Sequence, residues 1–180
     1  MRQVIRKWFW AWEFDKEEKW LNDMAAQGKA LVSARYATYE FEGSEPGEYA
    51  IRLEMLENAP DSEAGMAYIS FVEETGAEYV GKVMKWVYFR KKTADGPFEL
   101  HGDNATRIKH LQGIIRLLGM LGGFNIGAGV YNLCIGVGIG SVVNVLCAGL
   151  SAAVTVLLVR GLIKLNEKKK QLTKDSQLFE

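Results

Sequence analysis

The sequence predicts an α+β domain of order βαββαβ in its first hundred residues, followed by two apolar helices folded into a membrane hairpin. Three observations carry this reading. Charge is unevenly shared: up to His110 there are 15 Lys/Arg and 19 Asp/Glu, and beyond it 7 and 3. The 43 residues from Leu117 to Val159 contain no Asp, Glu, Lys, Arg or His. Before that run, stretches alternating with period two are separated by stretches of helical period, with glycine at the joins. The whole-chain averages of 48% hydrophobic and 24% charged residues conceal this division. The pattern excludes a disordered chain, a disulfide-stapled secreted scaffold and a simple soluble globule.

Val4–Trp12, rich in aromatic and β-branched residues, reads as the first strand. Asp15 followed by Glu18 makes a capping box, opening a helix whose apolar side holds Trp20, Leu21 and Met24 and which ends at Gly28. Leu31–Phe41 is a second strand, Glu45-Pro46-Gly47-Glu48 a type II turn, and Tyr49–Leu56 a third strand. Asp61 or Ser62 caps a second helix that closes at Gly76. Glu78–Lys91 is then the fourth strand, with Phe98–Leu100 a short extra one. This order is the ferredoxin-like arrangement, with strand order 4-1-3-2 and both helices on one face. The domain spans residues 1–105, and Asp103 or Asn104 starts a basic juxtamembrane helix over 106–113.

A bilayer core of roughly 30 Å needs about 20 helical residues. The uncharged run, with its flanks over 114–160, therefore holds two spans, about 114–133 and 140–160, joined by a turn around Cys134–Ile139. Arg107, Lys109 and Arg116 precede the first span, and Arg160, Lys164 and Lys168 to Lys170 follow the second. Basic residues stay inside, so both termini, including the basic tail 161–180, are expected on the cytoplasmic side of the cell membrane. Met1–Phe14 is not expected to be a signal peptide, because Arg6, Lys7 and Glu13 interrupt its apolar run. Gly119, Gly123 and Gly127 repeat every four residues and Ala148 and Ala152 offer a matching strip, a pattern that lets helix backbones approach closely. The expected use is packing within the hairpin, the alternative a homo-oligomer or a membrane-protein partner. Cys134 and Cys147 read as packing residues.

Five runs in order carry a resemblance: Lys7-Trp-Phe-Trp-Ala-Trp12, Glu17-Glu-Lys-Trp-Leu-Asn-Asp-Met-Ala-Ala26, Pro46-Gly-Glu-Tyr49, Gly76-Ala-Glu-Tyr-Val-Gly81 and Trp86-Val-Tyr-Phe-Arg-Lys91. Over about residues 5–110 the chain resembles the bacterial family called domain of unknown function 2812. The resemblance implies a cytosolic domain, often followed by membrane spans, in genes that often neighbour a PadR-like regulator. It implies no activity, cofactor or catalytic residue. Lys29 and Ala77 stand where the family usually has tryptophan, so roles resting on those tryptophans do not carry over.

No chemistry-bearing constellation emerges. His101 and His110 lack a nucleophile or metal-ligand neighbour at useful spacing, and Glu17-Glu18 and Glu73-Glu74 point different ways around their helices. Neither an enzyme nor a cofactor is expected. The aromatics are more informative. Trp8, Trp10 and Trp12 would share one strand face, as would Trp86 and Tyr88. On the open face of the sheet they form, with Arg52, a candidate platform for a ligand, a partner sheet or the membrane surface; facing the helices they are core. Net negative charge over the first 110 residues and the lack of an Arg/Lys-Gly-aromatic signature argue against nucleic acid. The expected partner is the lipid bilayer. The expected function is a membrane-tethered sensing or adaptor module, with an accessory subunit of a membrane complex such as an exporter as the alternative.

Overall fold

The computed structural model describes residues 2–100 and 104–178; His101 and Asp103, named above, lie outside them. The chain divides into two compact units, Met1–Gly102 and Asp103–Glu180. The first holds strands β1 (Gln3–Arg6), β2 (Lys29–Arg35), β3 (Thr38–Gly43), β4 (Tyr49–Met55), β5 (Glu78–Val83) and β6 (Trp86–Lys92) and helices α1 (Phe14–Ala26) and α2 (Glu63–Glu74). It is α+β as expected, but its sheet has six strands in the order β1-β3-β2-β5-β6-β4, not four in the order 4-1-3-2.

Two expected strands are hairpins. Leu31–Phe41 folds back at Tyr36-Ala37 and Glu78–Lys91 at Met84-Lys85, each a two-residue turn with one left-handed non-glycine residue, Ala37 (φ 50) and Met84 (φ 55). Neither turn contains the Gly, Asn or Asp that normally marks such a reversal, so each apolar run reads as continuous. The first strand is also shorter than expected. Its partner β3 begins at Thr38, and the Lys7 N–H takes the carbonyl of the turn residue Ala37. Beyond Lys7 no neighbouring strand remains, and Ala11–Glu13 forms a turn of 3-10 helix leading into α1.

The domain is thus two successive β-α-β-β halves, spatially β1-β3-β2 and β4-β6-β5, joined by the parallel neighbours β2 and β5. Gly28 (φ 76) and Gly76 (φ 86) end the two helices, and the Ser62 hydroxyl caps α2 by accepting from the Gly65 N–H. The capping box expected at α1 is not formed: Glu18 instead accepts from the Leu53 N–H of β4. Phe98 packs in the core without forming a strand.

The helices lie on opposite faces of the sheet. Leu21, Met24 and Ala25 of α1 share a core with Tyr39, Phe41, Ile51, Leu53 and Tyr88. Val72 beside α2 residues Tyr68 and Ile69 shares a separate one with Val87 and Phe89. Along β6, Val87 and Phe89 alternate with Tyr88, so the two cores are on opposite sides. This corrects the expectation of two helices on one face. On its own face α1 reaches Tyr39 of β3 through Glu17, and the outer edge of β4 through Asn22, which bonds both the N–H and the C=O of Ile51. Those strands are four apart, about 19 Å in a flat sheet, while a helix is about 10 Å wide; the sheet must curl around α1. Asn22 and Glu18 thereby satisfy a strand edge that would otherwise be open.

At the join, Gly81 stands opposite Ala34. A Cβ on Gly81 would fall 2.6 Å from the Ala34 carbonyl oxygen. Gly81→Ala should therefore destabilise the domain by about 1–3 kcal/mol in chemical denaturation. Ala34→Gly should not rescue it, because the obstructing atom is backbone.

The second unit is an antiparallel pair, α3 (Asn104–Ile139) and α4 (Val142–Leu178), reversed at Gly140 (φ 68) and Ser141. Cys134–Ile139, expected as the turn, is helical, and the basic segment 106–113 is continuous with α3. The seam uses other glycines than those expected. A Cβ would meet Leu158 from Gly122, Ser151 at 2.9 Å from Gly129, and Val145 at 2.7 Å from Gly136, three glycines spaced by seven. By contrast, a Cβ on Gly119, Gly123 or Gly127 meets nothing within 4 Å. Opposite, Ala148 is half-buried and Ala152 exposed. Cys134 and Cys147 are free and exposed, not packed in the seam. In detergent, Gly136→Leu should lower the thermal midpoint and expand the hairpin, since Val145 backbone obstructs it, whereas Gly123→Leu should leave both unchanged.

Candidate functional site

The apolar face of α1 carries one charged group. Glu17 precedes Leu21 and Met24 by four and seven residues, which turns it toward the core, and it is only 8% exposed. Tyr88 donates to its Oε1 at 2.6 Å and Tyr39 donates to the same oxygen at 2.7 Å. Burial pushes the Glu17 carboxyl above the usual carboxylate range, against the opposing pull of the Tyr88 and Tyr39 hydrogen bonds. Both phenols are driven upward by burial and by the Glu17 charge, so they remain donors. The group ties α1 to β3 in one half of the domain and to β6 in the other. Closed inside the core, it orders the fold.

The surface site lies at the start of the chain. With β1 ended at Arg6, the following residues run along the domain surface as a ladder of rings. Trp8 meets Tyr36 edge-on at 5.2 Å and Trp10 edge-on at 5.6 Å, and Trp10 stacks on Trp12 at 5.1 Å. Tyr36 is 64% exposed, Trp8 50% and Trp10 39%. Phe9 points the other way, onto Trp20 and Tyr39, with the Lys7 ammonium 4.5 Å from the Trp20 ring centroid. The 3-10 turn that follows is fixed by the Glu13 N–H donating to the Trp10 carbonyl.

The structure separates the residues expected to form one platform. Trp8, Trp10 and Trp12 are together in the ladder. Trp86 is half-buried against Phe14 at 5.4 Å, and Tyr88 is buried on Glu17. Arg52 stands opposite Phe89 in the β4–β6 register, while Leu53 stands opposite Tyr88, so Arg52 belongs to the other face; it contacts Glu18 and Glu99 at 3.7 Å. Sequence reasoning missed Tyr36, placed in mid-strand, and Glu17, although its spacing from Leu21 and Met24 marked it. Among the described residues no group of three or more His, Cys, Asp or Glu side chains could hold a metal ion.

A half-buried cation also belongs to the scaffold. Arg90 of β6 donates to Glu78 on β5, to the Leu31 carbonyl of β2 and to Glu42 on β3, with its guanidinium 4.6 Å from the Tyr49 ring centroid of β4. It spans the join between the halves.

The raised carboxyls set a pH dependence. Burial also lifts Glu18, against its Leu53 backbone bond and Arg52, and Glu54, against its Tyr68 hydrogen bond. A carboxyl raised in the folded state binds more protons folded than unfolded. Its stabilisation is therefore complete below the ordinary carboxylate value and is lost as pH rises through the raised one. Denaturation of the protein between about pH 4 and pH 8 should show stability falling with pH, and Glu17→Gln should flatten the slope by removing one of the three contributions.

No curated protein and no solved structure matches the chain. Residues 13–122 match the family described as Protein of unknown function (DUF2812). The matched stretch begins one residue after Trp12, takes in both halves of the sheet from α1 onward and enters α3. The chain belongs to the DUF2812 family.

Proposed function

We propose that this protein is a membrane-anchored sensing or adaptor module. In this reading the α3–α4 hairpin crosses the cell membrane twice with both termini cytoplasmic, and the domain presents its Trp8–Trp10–Tyr36 edge to a ligand or partner. The anchoring rests on the inverted polarity of the hairpin. Both helices are long and apolar enough to cross a membrane. Their outward surfaces are apolar, with Phe124 81% exposed and Val137, Val142, Leu146 and Leu150 similarly open. The polar groups turn inward: the Asn125 amide donates to the Ser151 carbonyl at 2.8 Å and to the Thr155 hydroxyl at 2.9 Å. Water penalises both features, whereas lipid solvates the outside and favours hydrogen bonds satisfied within. The domain half of the proposal rests on the exposed ladder, since contiguous indole and phenol rings are the side chains that most often anchor binding surfaces.

The open Gly119/Gly123/Gly127 strip favours a second reading, an accessory subunit that docks through this strip onto another membrane protein or a second copy. Gly123→Leu should then lose the larger assembly in light scattering while keeping its thermal midpoint; unchanged mass would mean that the strip faces lipid.

The anchoring is tested by carbonate washing of membranes and by reporters placed after Glu180 and in the Gly140–Ser141 turn. Retention in the membrane, a cytoplasmic carboxyl-terminal reporter and an external turn are expected. Release of the chain would overturn anchoring, and an external carboxyl terminus would overturn the two-span topology.

A further inference from the structure

The ladder stands beside a concentration of unpaired positive charge. In the sheet register Arg6 of β1 and Arg35 of β2 both stand opposite Thr38 of β3, one from each side. They project from the same face, about 10 Å apart across three strands. Both are exposed, and neither makes an ion pair among the described residues. The carboxylates around them do not cancel this charge. Glu40, two residues along β3 on that face, pairs with neither arginine, and Glu13 at the end of the ladder is held by Lys16. The first acidic residue of the chain is Glu13, whereas Arg2, Arg6 and Lys7 precede it. Over the first 110 residues acids outnumber bases, 19 to 15, so this edge is basic within an acidic domain.

Tyr36 adjoins Arg35 in sequence, and Trp8 lies two residues from Arg6. One edge therefore offers exposed amphipathic rings flanked by guanidinium groups. Indole and phenol side chains settle at the level where headgroups meet acyl chains, and arginine is drawn to anionic headgroup phosphates. We infer that the edge formed by Arg6, Trp8, Trp10, Arg35 and Tyr36 docks on a membrane surface rich in anionic lipid, and that the ligand the module reads is this surface. The inference rests on the anchoring proposed above, which keeps the domain within reach of the bilayer. A nucleic acid would also answer to the arginines, but the acidic remainder of the domain would repel it.

The sequence supplies its own probe. All five tryptophans, Trp8, Trp10, Trp12, Trp20 and Trp86, precede the hairpin, so indole fluorescence of the full chain reports on the domain alone. The chain would be reconstituted in nanodiscs containing brominated acyl chains, in neutral phosphatidylcholine and with about one third phosphatidylglycerol. Docking predicts stronger quenching in the anionic discs, reversed by salt, and loss of that increment in Arg6→Gln/Arg35→Gln. Two arginines near an anionic surface correspond to about a thirtyfold shift in the docked-to-free ratio. Because neither side chain is paired or buried, the double variant should keep its thermal midpoint, which checks that it is folded. Quenching equal in neutral and anionic discs, or unchanged by the double variant, would overturn the inference while the chain stays in the disc. A chain that elutes free of the discs would overturn the anchoring, and this inference with it.

Discussion

Where β2 meets β5, Gly81 lies opposite Ala34 with no room for a single added carbon: its Cβ would fall 2.6 Å from the Ala34 carbonyl oxygen and 3.2 Å from the Ala34 nitrogen. That approach turns two three-stranded halves into one sheet, and the remaining interactions of the domain are arranged around it. Arg90 lies across the same join, bonded to Leu31 and Glu42 on one side and to Glu78 on its own. On one face of the sheet Glu17 repeats the connection, taking Tyr39 from the first half and Tyr88 from the second. Glu17 is held out of water, where removing Tyr39 or Tyr88 would leave it under-satisfied, whereas Arg90 is half-buried and its carboxylate partners reach solvent. Neither could form if the central strands stood further apart.

The sequence was most legible where a residue type has a single conformational use. Gly28 and Gly76 ended the helices, Ser62 capped the second, and Gly47 with Glu48 bonding back to Glu45 made the turn expected of Pro46-Gly47. It was least legible where tertiary structure overrode local preference. Tyr36-Ala37 and Met84-Lys85 turn tightly without turn residues, because the flanking strands have partners on both sides that hold the hairpins in register. Missing those two turns changes the strand count, and with it the pairing partner of β1 and the face on which each helix packs. One error of local chemistry thus became an error of topology. The candidate site followed the same rule: indoles at 8, 10 and 12 were legible as a group, but their expected companions Trp86, Tyr88 and Arg52 depended on which strand neighboured which.

The glycines of the hairpin make the parallel point for helices. A four-residue repeat of small side chains was plain at Gly119, Gly123 and Gly127, yet the contact with α4 uses Gly122, Gly129 and Gly136. A repeat of seven keeps to the seam of two nearly antiparallel helices, whereas a repeat of four drifts around the cylinder. The opposing residues confirm the period: Asn144, Ala148, Ser151, Thr155, Leu158, Leu162 and Leu165 are spaced alternately by four and three, and each is half-buried or buried.

Helix length then bears on where a bilayer would sit. At 36 and 37 residues, α3 and α4 are each about 55 Å long, nearly twice a hydrocarbon core. From Gly140 the first basic residue on α4 is Arg160, 20 residues away, and on α3 it is Arg116, 24 residues back. Those intervals correspond to about 30 Å and 36 Å, so the uncharged turn and the two arginines fall at heights that match opposite faces of one bilayer. The remainder of each helix, with Leu111, Ile114 and Leu165 still packed in the seam, continues as a coiled pair beyond the arginines. There Lys109 and Lys164 are exposed, as the proposed passage from lipid to water would require. The seam itself changes along its length, small and polar at Asn144, Ala148, Ser151 and Thr155 toward the turn and leucine-rich at Leu158, Leu162 and Leu165 beyond. In the proposed membrane reading, the outer surface is what would mark where the bilayer ends.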